Sequence, residues 1–320
     1  MRGGKKLMIA RPTTPPTRPR TLWFIFLFCL LQPSCFVSAS GDIRHLYDIT
    51  SADKTDLSLP SDVAVAKDGT ICIVDSGNDR VVIFDKKGHF KKAIGSTGSA
   101  DGLFNAPLGI AVDARGMIYV ADKGNHRLQV FKPNGKLVQA IPTMLEGEKI
   151  VPVDVAVSGK DGTLFVTGNN NHRIISYTPD GTAIRSWGGQ GSNPGEFRYP
   201  ATLIMTNENL IGAVDVLNSR AQIFSNEGKL IATIGAWGVL PGQLFRPKGI
   251  AMDLNKQFYI SDSYLEVIQV FNIETHFLYV LGGTDNPHRF ESPAGIAIDA
   301  KNRLYVAEML ANKISVFELD

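Results

Sequence analysis

Six histidines fall within residues 40–320: His45, His89, His126, His172, His276 and His288. Gathered near one axis they could ligate zinc, which takes three or four N, S or O donors at about 2 Å. Asp113, Asp253 and Asp299 each close a short apolar run and could offer oxygen to calcium. Each is also followed by residues that suit a tight turn, and an aspartate capping that turn is the preferred reading. Asp75 with Arg80, Asp122 with Arg127 and Asp215 with Arg220 stand five residues apart, so a carboxylate ending one strand can meet a guanidinium starting the next. These pairs are read as braces across a loop rather than as catalytic groups. Cys72 is the one cysteine outside the first 39 residues and sits in an apolar run, where a small buried hydrophobe is expected. No His-Glu-x-x-His, Gly-x-Ser-x-Gly, Cys-x-x-Cys-His or P-loop string occurs, so the chemistries those motifs carry have no footing here.

The elements that must position these residues repeat. A proline precedes a short apolar run at Pro60, Pro107, Pro152, Pro200, Pro247 and Pro293, in steps of 47, 45, 48, 47 and 46. An aromatic ends another run at Phe84, Phe131, Tyr177, Phe224, Phe271 and Phe317, in steps of 47, 46, 47, 47 and 46. Within one copy, Pro107-Leu-Gly-Ile-Ala-Val-Asp113 predicts strand a, Met117–Ala121 strand b, Leu128–Phe131 strand c and Lys136–Ile141 strand d, with Ala114-Arg-Gly116 and Pro133-Asn-Gly135 as turns. Four antiparallel strands per repeat make one propeller blade, and six repeats predict an all-β six-bladed propeller. The last repeat stops after strand c, while residues 41–59 precede the first proline. Residues 43–49 are therefore expected to supply the missing outer strand and close the ring.

Composition agrees. The 320 residues are 44% apolar and 20% charged, with 31 glycines and 17 prolines, which suits short strands and tight turns. Residues 1–39 carry Arg2, Lys5, Lys6, Arg11, Arg18 and Arg20 and no acid, so 27 bases face 31 acids in the rest and the overall +2 becomes −4. The basic lead runs into the apolar stretch Leu22–Leu31 and then Val37-Ser-Ala39. That order reads as a signal peptide over 1–39 cleaved after Ala39, with an uncleaved N-terminal anchor as the alternative. Either way residues 41–320 are expected outside the cytoplasm, periplasmic or extracellular, and touch a membrane only through an uncleaved anchor.

The recurring strings Pro-x-Gly-Ile-Ala-Val-Asp, Ile-Tyr-Val-Ala-Asp, Asn-His-Arg and Gln-Val-Phe resemble the NHL repeat across residues 41–320. The resemblance implies that the five-apart Asp and Arg positions, and His126 and His172, belong to the repeat. It brings in enzymes of similar architecture, the peptidylglycine amidating lyase and the calcium-dependent six-bladed lactonases. A Ca- or Zn-dependent lyase or lactonase with its site at the axis is therefore the alternative function. The blade map spreads the histidines, with His45 on the rim, His89 and His276 near c–d hairpins and only His288 in an atypical loop, so no triad is expected. The resemblance also reaches envelope proteins found beside multihaem cytochromes, which implies an accessory part in an electron-transfer complex.

The working surface is expected where the repeat breaks down. The b–c and d–a loops leave the same end of a propeller, and there blade five carries Ser263-Tyr264-Leu265-Glu266 and blade six Met309-Leu310-Ala311 in place of a polar Gly-Asn-x-Arg. Neighbouring d–a loops add Arg198, Tyr199, Trp237, Arg246, His288 and Arg289, aromatic and arginine types favoured as interface anchors. The expectation is a non-catalytic scaffold, a monomeric propeller without cofactor, that binds a protein partner or ligand on this face of blades three to six. Nucleic acid is not expected, because the body is net negative and its basic cluster, Lys86, Lys87, Lys91 and Lys92, straddles one hairpin.

Overall fold

The computed structural model describes residues 43–283 and 289–319; the predicted signal segment 1–39 and His288 lie outside them. Blade 1 runs through strands a to d at Pro60–Val65, Ile71–Asp75, Arg80–Phe84 and Phe90–Ile94. Blade 2 uses Pro107–Val112, Ile118–Asp122, Arg127–Phe131 and Leu137–Pro142, and blade 3 uses Pro152–Val157, Leu164–Gly168, Arg173–Tyr177 and Ala183–Gly188. Blade 4 follows at Pro200–Met205, Leu210–Asp215, Arg220–Ser225 and Leu230–Ile234. Blade 5 follows at Pro247–Met252, Phe258–Asp262, Val267–Phe271 and Phe277–Gly282. Each is an antiparallel meander whose sheet order is its chain order.

Blade 6 is the exception that closes the ring. Its inner strands are Pro293–Ile298, Arg303–Glu308 and Lys313–Leu319, and its outer strand is Ile43–Ile49 from the other end of the chain. Ile43 pairs with Leu319 and Ile49 with Ile314. Ion pairs from Arg44 to Glu318 and from Lys313 to Asp48 flank the seam.

Every residue of the b strands in blades 1, 2, 3 and 5 is buried, because each is covered on both faces by neighbouring blades. Strand d at the rim alternates exposed and half-buried residues over Phe90–Ala93. Six apolar layers, one per blade junction, form the core; in one of them Tyr305 and Val316 of blade 6 pack on Ile71, Ile73 and Phe84 of blade 1. Phe104, Phe197, Leu244 and Phe290 plug the d–a linkers and are all but fully buried. Every b–c loop turns through one residue in the left-handed region: Asp79, His126, His172, Ser219, Glu266 and Asn312, with φ between 49° and 58°. That backbone role accounts for His126 and His172.

Candidate functional site: the face of the b–c and d–a loops

The loop face is built on a repeated carboxylate clamp. Asp75, Asp122 and Asp215 end strand b in blades 1, 2 and 4 and are completely buried. Each accepts from the guanidinium five residues on, Arg80 at 2.7 Å, Arg127 at 2.8 Å and Arg220 at 2.9 Å. Each also accepts a backbone N–H from the preceding d–a linker, of Ser58, Asn105 or Arg198, at 2.7–2.9 Å. Asn78, Asn125 and Asn218 donate a third bond through their side-chain amides. One carboxylate thus sews its own b–c loop to the linker that enters the blade, and a buried charge held by several donors is the arrangement that tolerates burial. Burial still pushes the Asp215 carboxyl above its ordinary range, against the hydrogen bonds of Asn218, the Arg198 N–H and Arg220.

Blade 5 keeps the carboxylate and loses the guanidinium, because Val267 stands where the arginine would be. Asp262 takes backbone N–H groups instead: Phe245 at 2.6 Å, Arg246 at 3.0 Å, and Tyr264 and Leu265 at 3.1 Å. The b–c loop winds over the carboxylate and leaves Tyr264 65% exposed. In blade 6, Glu308 accepts from the Glu291 N–H at 2.7 Å and the Ser315 hydroxyl at 2.5 Å, with Lys313 at 3.5 Å. There Leu310 is 70% exposed.

These exchanges assemble an aromatic ladder at the surface, with half-buried Phe245 between exposed Trp237 and Tyr264. Trp237, 71% exposed, lies 6.3 Å from the Phe245 ring, and Phe245 lies 4.4 Å from Tyr264. The Arg246 guanidinium sits 5.6 Å from the Phe245 centroid, within cation–π range. Exposed Val239 and Leu240 flank Trp237 in the same linker, and exposed Leu217 tips the b–c loop of blade 4.

Of the residues expected on this face, Trp237, Arg246 and Tyr264 come together in the ladder. Arg198 and Leu310 are exposed on neighbouring loops, and Leu265 and Met309 are half-buried. Glu266 and Arg289 pair with each other. Tyr199 departs from the expectation: it adopts φ 67°, and its side chain packs against the core between blades 4 and 5. Sequence reasoning passed over Phe245, Val239 and Leu240. Phe245 occupies the linker position that Asn105 fills in blade 2, a register visible only once the clamp is known.

A channel of about 390 Å³ follows the axis, and Asp62 and Asp154 line it. Both lie two residues after the strand-a proline, where blades 2, 5 and 6 have Gly109, Gly249 and Gly295 and blade 4 has Thr202. Asp62 accepts from the N–H of Val63 at 2.9 Å and of Ile110 in the next blade at 3.0 Å. Asp154 accepts likewise from Val155 and Leu203, both at 2.7 Å. A β-carbon at Gly295 or Gly109 would collide with these carboxyls, so the neighbouring glycines make room for them. Burial and the Asp154 charge push Asp62 well above the usual carboxylate range, and burial raises Asp154 to about 7. Asp113, Asp253 and Asp299 cap their a–b turns, each accepting a turn N–H at 2.7–3.0 Å. Among the described residues no three His, Cys, Asp or Glu side chains are gathered as a metal site.

The NHL repeat family matches residues 57–84 and 104–131, in blades 1 and 2. The chain is similar to mouse peptidyl-glycine alpha-amidating monooxygenase, 31% identical over 158 residues, covering 43% of this chain and 15% of that protein. It is 38% identical over 82 residues to the Xenopus laevis monooxygenase A, covering 24% of this chain and 9% of that one. The match thus spans a small part of the curated relatives. Among solved structures, a streptogramin B lyase superposes with a TM-score of 0.63 at 15% identity, over 87% of this chain and 98% of that one. A Xanthomonas campestris gluconolactonase gives 0.64 at 16%, over 88% and 96%. At such identities the likeness shows the fold alone.

Proposed function

We infer that this six-bladed β-propeller, whose first two blades carry NHL repeats, is an exported, non-catalytic scaffold that docks a protein partner on the loop face of blades 4 to 6. The observation that carries the reading is the surface ladder Trp237–Phe245–Tyr264, its two end rings exposed, with Arg246 against it. Contiguous exposed apolar groups of this kind mark interaction surfaces, and Trp, Tyr and Arg are the residues that dominate binding energy there. Arg198 and Arg246 form no ion pair among the described residues, so the partner segment this face suits is acidic as well as apolar. An accessory place beside a cytochrome-containing envelope complex is the specific form of the proposal. Tyr264→Ala with Leu310→Ser is expected to abolish retention of the partner from an envelope extract while leaving the melting temperature unchanged; retention at the unmodified level would refute the face.

The axial channel supports a second reading, a Ca- or Zn-dependent lyase or lactonase. Asp62, Asp154, Asp253 and Asp299 are its acidic lining, and Asp62 and Asp154 each already hold two backbone N–H groups. Elemental mass spectrometry on protein purified without chelator separates the readings: one tightly held Ca or Zn per chain would move the assignment to the enzyme.

A further inference from the structure

At one register of strand b, four blades place an aromatic ring that fills the cleft to the next blade: Tyr119, Phe165, Tyr259 and Tyr305, each paired with an alanine of strand a. In blade 4 the position is Gly212, and Ile204 and Ile250 occupy the space, 2.9 and 3.0 Å from where its β-carbon would lie. In blade 1 it is Cys72, paired with Ala64, and the ring is missing. The acid that partners the tyrosine is missing with it. Asp113, Asp253 and Asp299 lie 3.1–3.4 Å from Tyr119, Tyr259 and Tyr305, and the residue in that place in blade 1 is Ala66.

What remains between blades 1 and 2, at the end opposite the aromatic ladder, is a cleft of about 590 Å³, within the range of small-molecule sites. Half-buried Ala66 and Val112 give it apolar walls, and Cys72 and Ile83, all but fully buried, close its floor. Its rim carries Lys67, Lys91, Lys92 and Arg115 against one carboxylate, Asp68. Asp68 accepts the Thr70 N–H at 2.9 Å, Arg115 pairs with Asp113, and Lys92 donates to the Asn134 carbonyl. Lys67 and Lys91 form no ion pair among the described residues.

We propose that this cleft binds an aromatic carboxylate, its ring lodged over Cys72 against Ala66 and Val112 and its carboxylate on Lys67 and Lys91. Apolar walls recognise the ring through burial, and two ammonium groups at the mouth, neither held in a salt bridge among the described residues, favour an anion over its neutral analogue. The site shares no residue with the docking face and stands or falls apart from it.

Calorimetric titration of the full chain with 2-naphthoate and with neutral 2-naphthylmethanol tests the assignment. The carboxylate is expected to bind one per chain, at least about tenfold tighter than the alcohol. Cys72→Tyr with Ala66→Asp, which rebuilds the ring and partner of the other blades, is expected to abolish binding. Lys67→Glu with Lys91→Glu, at two exposed positions that leave the fold alone, should weaken the carboxylate roughly tenfold and leave the alcohol unchanged. No binding of 2-naphthoate, equal affinity for the alcohol, or undiminished binding by either double variant would overturn it.

Discussion

Asp122 and Asp154 are both buried carboxylates in unlike surroundings. Asp122 holds Arg127 at 2.8 Å together with Asn125, Gln129 and the Asn105 N–H, so removing it strands several donors. Asp122→Ala is expected to lower stability by roughly 3 kcal/mol, read as a shift in the urea midpoint. Asp154 receives no cation among the described residues, and burial raises its carboxyl from 3.8 to about 7. A group whose folded pKa lies above its unfolded value stabilises most at low pH and loses that contribution as pH rises through the folded value. The fold should therefore lose stability as pH rises from about 5 to 8, and Asp154→Asn should reduce that loss. Asp85 acts in the other direction, because hydrogen bonds from the His89 and Lys87 N–H groups hold it at about 2, but its window lies below that range. A urea midpoint that climbs from pH 5 to pH 8 would refute the account of the axial carboxyls.

The outer strand of blade 6 shows how much of an element can be read from the chain alone. Counting residues against the repeat placed Ile43–Ile49 beside the last strand, and the pairing of Ile49 with Ile314 is that arrangement. A chain starting at residue 50 would leave strand Lys313–Leu319 as an open edge and uncover Val316 and Ile314, now completely buried. Its melting temperature is expected about 10 °C below that of a chain starting at residue 40; an equal value would contradict closure by this strand. The clamp residues were legible as spacings of five, but not their grip on the linkers. Asp62 and Asp154 escaped notice because strand a reads as a plain apolar run, and only ring closure brings that register to the axis. Cys72 is unremarkable within its own strand, and its missing ring emerges once six registers are aligned.

For the whole molecule, the two ends of the propeller are chemically unlike. One presents the aromatic ladder of blades 4 and 5 with exposed Leu310; the other carries the lysines of blade 1 around an apolar cleft. Trp237, Arg246 and Tyr264 were readable as departures from the repeat, whereas Phe245 sat in an aperiodic linker and became visible through the bond its N–H gives Asp262. The partner-docking claim is tested most directly by photo-crosslinking in the producing cell, with a benzophenone amino acid at position 264 and, as a control, at the exposed rim position Val138. A single discrete protein adduct from position 264, absent from 138 and lost with Trp237→Ala, is the predicted result. No adduct from 264, or the same adduct from 138, would contradict it.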